Sequence, residues 1–593
     1  MSLPKFDTQG SLFESLGSIA ADLFDKKDKY KLFATKVWPL LAGQREELAQ
    51  CYELGNGRPG IEPVVLLGVL IFQFLERVPD RQAAELVKYH LGWKLALNLK
   101  LKADGFHPTT LVHFRQRLLE AGKSDLALRA VVGALEEEGL IPKRSKQRLD
   151  STHIVGAVAR LSALECVRET LGLALEELDR KLKEGERPEF WEQLWERYVE
   201  SKLDYKSAEE ALESKRRQAG ADCLRLLEWL EPLGAEIREA KGVALLREVF
   251  AQQYELDELE QSGKIEPVKV HATGVVQNPH DPDAQWSAKG KGKQKKDWVG
   301  YKVQVAETVG SQEDQSSFIT SVVTQRATES DDAGLPATLQ KQEALGLERP
   351  SEMYVDGAYI SASSISQARE EAWELMGPAQ PSPAPPKQPE LYRIEAFDVN
   401  IEERKAICPQ GKTSTECSKL TEGETGKVTY RFEFGRHCRD CEVKHLCVPQ
   451  GQPHRMIRVG ALHETLQQRR REQQSPEFKL RMRQRNGIEG TISELVRGHG
   501  LRRARYKGFA KVDLQNQFIA AACNIKRWFR KLLGTVFTAQ REQVVLSGAS
   551  PWSVLANFLV QIDPWSFLGK TPPEVAQSMQ NFLSRLDVFD VTL

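Results

Sequence analysis

Residues 481–511 read RMRQRNGIEGTISELVRGHGLRRARYKGFAK, and only two carboxylates, Glu489 and Glu494, stand among the arginines. At helical spacing Met482, Arg485, Glu489, Ile492 and Val496 share one stripe. This predicts that Glu489 points with the apolar face toward the rest of the domain and that Glu494 does not. A carboxylate is costly to bury unless a cation pairs with it, and Arg485, one turn earlier, or a metal ion can supply the charge. The alternative is an Arg–Glu pair on a solvated helix face, which contributes little. Just downstream, His499-Gly500-Leu501-Arg502-Arg503-Ala504-Arg505-Tyr506-Lys507-Gly508 gathers cations around an aromatic ring, as a phosphate-backbone contact does.

Two further acids sit in unusual places. Lys146 to Gly156 is strand-like with Asp150 in its middle, and Asp is depleted in strands. Either Asp150 is a metal ligand on a rigid strand, or Asp150-Ser151-Thr152 is a turn. In Glu352 to Tyr359 a buried-looking strand ends in Asp356 and Gly357 before a helix from Ser361. The carboxyl end of such a strand is where open α/β sheets place ligands. Between these acids, residues 161–261 are charged, with leucines at three- and four-residue steps and Trp191 one turn from Trp195, which predicts a helical insertion such as a coiled hairpin. Asp297 to Glu307 and Ser317 to Thr324 read as strands joined by a turn at Gln312 to Ser316. Lys289, Lys291, Lys293, Lys295 and Lys296 precede them in a basic loop, either touching phosphates or simply solvated. Asp331 to Leu345 reads as a helix, Trp373 to Met376 as a strand, and Gly377 to Pro386 as an extended linker.

The remaining features bound the function. A chain of 593 residues is several domains long, which predicts three or four units. Its 83 basic and 83 acidic side chains cancel, but acids concentrate at 161–261 and cations at 289–302 and 469–530, so nucleic acid is not excluded as a partner. The opening MSLPKFDTQGSLFESLG lacks a basic-then-apolar signal. The longest apolar run, Val64 to Leu75, falls short of the ~20 residues of a membrane span, so a cytosolic protein is expected. Residues 1–145 read as helical: Pro63 to Leu75, Asp80 to Leu91, and a third helix from His107-Pro108-Thr109-Thr110 carrying His113, Arg115, Gln116 and Arg117. This suits a helix-turn-helix reader or an ordinary bundle with solvated arginines. Of nine cysteines, four crowd between 417 and 447, which favours reduced thiols and a local metal site over disulfides. Cys438 and Cys441 are spaced to grip one tetrahedral ion and Cys408 and Cys447 can complete it, with Cys417, His437 and His445 as substitutes and free thiols as the alternative. A site closed by four ligands is structural and can supply folding free energy. The chain reads as helical from His463 and again from Val512 to Leu533; a helical tail beyond Gly534 has no assignable role.

In LDSTHI around Asp150, YVDGAY around Asp356, the cysteine insert, and RNGIEGTISELVRGHGLRRARYKGFAKVDLQ around Glu489, the chain resembles the DDE transposases of bacterial insertion sequences over most of residues 55–535. The resemblance implies an α/β fold: a ribonuclease-H-like mixed sheet with an N-terminal all-helical domain, a helical insertion and a small Cys-rich β insertion. The implied divisions are a DNA-binding domain at 1–145, the first catalytic strand at 146–160, the helical insertion at 161–262, and the core with the second Asp at 263–377. The linker and Cys-rich insertion follow at 378–457, the Glu helix and basic segment at 458–535, and a tail at 536–593. It implies that Asp150, Asp356 and Glu489 hold two Mg2+ (or Mn2+) ions, and that Arg485 is the family's arginine four residues before its glutamate. DNA contacts would come from Arg485, Arg497, Arg502, Arg503, Arg505, Lys507 and Lys511, and Cys408, Cys438, Cys441 and Cys447 would hold a structural Zn2+. The family's tyrosine three residues before that arginine and lysine seven after the glutamate are here Met482 and Val496, with Arg497 adjacent.

The implied activity is cleavage at the ends of an element and joining of the 3′-hydroxyls to target DNA, by a homo-oligomer assembled on terminal inverted repeats in the bacterial cytoplasm, at the nucleoid. Three carboxylates within ~4 Å would repel by about 4 kcal/mol per pair at an effective dielectric of about 20. Two hard cations relieve that repulsion and activate a water and then a 3′-hydroxyl. The rival expectations are a transposase-derived DNA-binding protein without catalysis and a ribonuclease-H-like nuclease without joining. A zinc hydrolase is disfavoured, because thiolate-saturated zinc has no open position.

Overall fold

Strand-forming runs spread over more than two hundred residues converge on one six-stranded sheet: β1 (Gln147–Val155), β2 (Gln285–Lys289), β3 (Lys296–Thr308), β4 (Ile319–Arg326), β5 (Glu352–Tyr354) and β6 (Glu374–Met376). The computed structural model describes residues 3, 23–52, 60–202, 209–256, 265–268, 273–290, 292, 295–310, 316–382, 388, 390–423 and 426–546. Six expectations therefore fall wholly or partly outside the described residues: 1–2, 4–22 and 53–59 of the N-terminal helical region, 203–208 and 257–262 of the helical insertion, most of the turn at Gln312 to Ser316, Lys291 and Lys293, the linker residues 383–386, and the tail from 547.

β3 is the axis of the sheet. It pairs antiparallel with β1 along one edge and, along the other, with β2 through Lys296 to Gly300 and with β4 through Tyr301 to Glu307. β5 runs parallel to β1, with Arg148 opposite Tyr354, and β6 runs parallel to β5. β3 is buried on both faces from Gly300 to Thr308, as a strand covered on two sides must be. One cover is the helix Gly334–Ala344, whose Leu335 and Leu339 pack with Leu149, Ala306 and Met353.

Both margins of the sheet are bonded by side chains. Asn524 accepts from the Ile319 N–H and donates to the Ile319 carbonyl, both at 2.8 Å, and Gln517 donates to Val322 O. On β6, Arg469 Nη1 donates to the Leu375 and Gly377 carbonyls at 2.8 and 3.0 Å.

In the N-terminal region α1 (Pro63–Leu75) is apolar around its circumference and correspondingly buried, from Pro63 through Phe74. α2 (Asp80–Tyr89) and α3 (Thr109–Glu120) flank it. The basic side chains of α3 are not all solvated. Arg115 is buried against Asp80, at 2.5 and 2.9 Å, beneath the Tyr506 ring, and Arg117 lies over the Tyr52 ring, while His113 and Gln116 remain exposed.

The insertion after β1 is a bundle of three long helices (Ala163–Lys181, Glu209–Leu230, Lys241–Gln253), not a hairpin. It has its own core, including Val167, Leu171, Trp191, Leu226 and Leu246. Ser162 and Glu165 form a capping box at its start. The Cys-rich region carries a two-stranded and a three-stranded sheet around Phe397, Phe432, Phe434 and Ile457. Beyond it come helices His463–Glu472 and Pro476–Met482, then α4 (Gly487–His499) and α5 (Phe509–Leu546). The chain divides into two compact units, Met1–Trp528 and Phe529–Leu593; the described part of the second is helical to Leu546. No helix among the described residues is long and apolar enough to cross a membrane.

The β1–β5 edge is locked by Glu352, which binds Lys146 Nζ at 2.6 Å, Arg481 Nη2 at 2.9 Å and the Tyr354 hydroxyl. Burial alone would raise its carboxyl, but the Lys146, Tyr354 and Arg481 hydrogen bonds outweigh it and take it from 4.5 to about 2. A folded-state value below the unfolded one contributes stability above the unfolded pKa that is lost as pH falls through the folded one. Glu352→Gln is therefore expected to unfold at lower urea than wild type at pH 7, with the gap closing as pH drops from 4.5 toward 2; an equal gap at both ends of that range would rule this out.

Candidate active site

One face of β1 holds the segment 484–502 along its length. Arg148 Nη1 donates to Gln484 O at 3.0 Å, Arg485 Nη2 donates to Asp150 Oδ2 at 2.7 Å, and Arg502 Nη1 donates to Thr152 Oγ1 and His153 O at 3.1 and 2.7 Å. Arg148, Asp150 and Thr152 share that face because alternate strand residues do.

Asp356 joins Asp150 through strand register. Arg148 stands opposite Tyr354 on parallel strands, so two residues further along each lie Asp150 and Asp356. The effect is electrostatic as well as geometric. Burial raises the Asp150 pKa, and Asp356 adds to the rise, against Arg485, the Ser151 N–H and Lys289. Asp356 Oδ1 accepts from the Ala358 N–H at 2.8 Å, which fixes the turn after the strand. Gly357 is required there, since a Cβ would meet Pro378 O and the Gln380 side chain. Lys289 acts on Asp150, and Lys289 and Lys296 both act on His153, so the basic β2–β3 turn borders these acids. On the opposite face, Asp331 takes hydrogen bonds from Lys302, Ser151 and Gln304, which outweigh burial and lower its pKa.

Glu489 occupies the first turn of α4, one turn after Arg485, where the positive end of the helix dipole favours a carboxylate. It is exposed, and no hydrogen bond or ion pair to it is found among the described residues. The expectation that it faces inward with Met482, Arg485, Ile492 and Val496 is corrected: the buried stripe of α4 is Ile488, Thr491, Leu495 and His499. The physical reason lies within α4: Ile488, Thr491 and Leu495, each one position before an expected residue, recur with His499 at the same helical spacing, and it is that stripe which packs inward. Glu494, expected to face away, is half-buried and accepts from Arg527 Nε at 3.0 Å.

The cations named from sequence divide. Arg485 and Arg502 are bonded within the protein, and Arg505 lies over the Phe74 ring at 4.8 Å and donates to Val78 O at 3.2 Å. Arg497, Arg503, Lys507 and Lys511 are exposed.

Cys408, Cys438, Cys441 and Cys447 line one cavity of about 380 Å³ together with His437, whereas Cys417 and His445 do not. Burial pushes the Cys447 thiol up to about 11, and Cys438, Cys408 and Cys441 contribute, as neighbouring thiols do. Among the described residues, one trio of potential metal-ligand atoms lies within 4.8 Å of one another: Glu494, His499 and Cys523. Neither the three acids nor the four thiols are gathered that tightly. The trio is unsuited to a cation. Arg527 already pairs with Glu494, and both Lys526 and Arg527 act on His499, whose ring burial holds neutral with a pKa of about 4.

Sequence reasoning missed Glu307, which is fully buried and bonded to Arg148, Arg527 and Thr491. Its signal was present: like Asp150, it is an acid within a strand-like run.

Residues 407–529 match the family model described as a transposase DDE domain, and residues 20–117 match that described as a transposase domain (DUF772). Arg485, Glu489 and the four cavity-lining cysteines lie within the first match, while Asp150 and Asp356 lie in neither. No curated protein and no solved structure matches the chain. The two family matches support a DDE transposase family and a transposase function acting on DNA.

Proposed function

We propose that the protein is a DDE transposase of a bacterial insertion sequence, cutting DNA at the element's ends and joining the freed 3′-hydroxyls to a target duplex. The observation that supports this is that Asp356, two residues past the end of β5, acts electrostatically on Asp150 of the neighbouring parallel strand β1, while Arg485, one turn before Glu489, bonds to Asp150. The strand order β4-β3-β1-β5-β6, antiparallel up to β1 and parallel after it, supports a ribonuclease-H-like core.

The residues suit hard divalent ions. Asp150 and Asp356 offer oxygen donors whose mutual repulsion and partial burial a cation relieves, and Arg485 already balances part of that charge. Asp150, Asp356 and Glu489 would hold Mg2+ or Mn2+. When bound, such ions activate the attacking oxygen and stabilise the leaving one in phosphoryl transfer. Arg485 orients Asp150, and the main-chain N–H of Ser151 fixes its other oxygen at 2.8 Å. Lys289, Lys296, Arg497, Arg503, Lys507 and Lys511 supply charge for the phosphates of terminal repeats and target, so binding weakens with salt. A homo-oligomer on DNA, working in the cytoplasm at the nucleoid, completes the proposal.

A second reading is a DNA-binding descendant without catalysis. It draws on the exposure of Glu489, on the three acids not being gathered within 4.8 Å of one another, and on Met482 and Val496 at the family's tyrosine and lysine places. The two readings separate on duplexes carrying the element's ends. Asp150→Asn, Asp356→Asn and Glu489→Gln are each expected to lose cleavage and joining by on the order of 10³-fold while still retarding end DNA in a gel. Wild-type rates in any of the three would refute the enzyme reading, and cleavage without strand transfer would leave a nuclease.

The cysteine cavity is proposed to hold one structural zinc through Cys408, Cys438, Cys441 and Cys447, with side-chain rotation closing the set. Metal analysis is expected to find about one zinc per chain, absent from a Cys438→Ser/Cys441→Ser variant that also melts at lower temperature. A metal-free wild type that melts identically with and without chelator would contradict this.

A further inference from the structure

Glu307 lies directly across from Arg148 in the β1–β3 pairing and has no exposed surface, so its charge must be met inside the protein. Three elements meet it. Arg148 Nε of β1 is 2.6 Å from Oε1, Arg527 Nη1 of α5 is 2.8 Å from Oε2, and the Thr491 hydroxyl of α4 donates to Oε2 at 2.6 Å. Arg527 Nη2 also donates to Thr491 Oγ1 at 2.7 Å, and Arg148 Nη1 reaches the Gln484 carbonyl at 3.0 Å. The Arg148 guanidinium occupies the space where a Cβ on residue 487 would begin, which only Gly487 leaves open. The network thus grips the segment at Gln484 and again at Thr491, and Glu489 lies between the two grips.

We propose that Arg148 and Glu307 are positioning residues that set where α4 lies along β1, and thereby how far Glu489 stands from Asp150 and Asp356. The inference rests on the reading of those acids as a metal site. An apolar cluster of similar volume would fill the space equally well but would not fix the height of a helix against a strand, whereas directional bonds to a carbonyl and a hydroxyl do. Gly487 is part of the device, because it lets the guanidinium cross the start of α4.

The test uses the full chain and measures Mn2+ affinity by calorimetry, beside end-DNA affinity and melting temperature. Gly487→Ala displaces the guanidinium without removing charge, Arg148→Met removes both bonds, and Thr491→Val removes the second grip. Each is expected to weaken Mn2+ binding by about tenfold or more, with end-DNA affinity held within about twofold of wild type. The double variant Gly487→Ala/Arg148→Met is expected to bind Mn2+ no worse than Arg148→Met, because the collision disappears with the arginine. Should Arg148→Met fail to melt cooperatively, Gly487→Ala and Thr491→Val decide. Unchanged Mn2+ affinity in folded Gly487→Ala and Thr491→Val, or additive losses in the double variant, would overturn the proposal. Asp150→Asn separates the two levels. If it binds Mn2+ as wild type does, the metal-site reading falls and takes this inference with it; if it loses Mn2+ while the positioning variants keep it, only this inference falls.

Discussion

Parallel pairing of β1 with β5 is the constraint on which the rest depends. It brings two acids from distant parts of the chain alongside each other and partly removes both from water, an arrangement that is unfavourable unless positive charge is near. The surrounding structure answers that requirement in layers. Arg485 lies on Asp150, and Lys289 acts on it from the end of β2. The helical insertion lengthens the chain between these two acids, and the cysteine region that between Asp356 and Glu489, yet each folds around its own core.

Much of this was legible because an acid inside a strand is out of place. Asp356 ended an apolar run and Asp150 sat within a strand-like one; β1 begins and ends within one residue of its expected limits, and β5 ends two residues before Asp356. Glu307 offered the same clue but closes its predicted strand, where a charge passes as a solvated end; only the pairing of β3 with β1 and β4 reveals that it is enclosed. β2 was not anticipated at all: Gln285-Trp286-Ser287-Ala288-Lys289 alternates, but over only five residues with no β-branched member, and the segment owes its form to pairing with β3.

The orientation of Glu489 was misjudged for a different reason. Ile492 and Val496 offered one apolar stripe of the helix and Ile488 and Leu495 another, and residue types alone do not say which of the two is packed. The same limit applies to arginines. Sequence shows their charge but not their length of reach, so Arg115 and Arg502 read as surface cations when each is bonded inside the protein, and the exposed Arg505 still spends one bond on Val78 O. The N-terminal helices are consequently joined to the 497–506 segment through Arg77 on the Arg497 carbonyl, His499 near the Phe74 carbonyl and Arg115 under Tyr506.

The covered margins of the sheet restrict how copies of the chain can associate. Asn524 and Gln517 on β4, and Arg469 on β6, take up main-chain groups that would otherwise template an intruding strand. Strand addition at these points of the core sheet is blocked, so copies that associated through them would first have to displace the side chains of Asn524, Gln517 or Arg469.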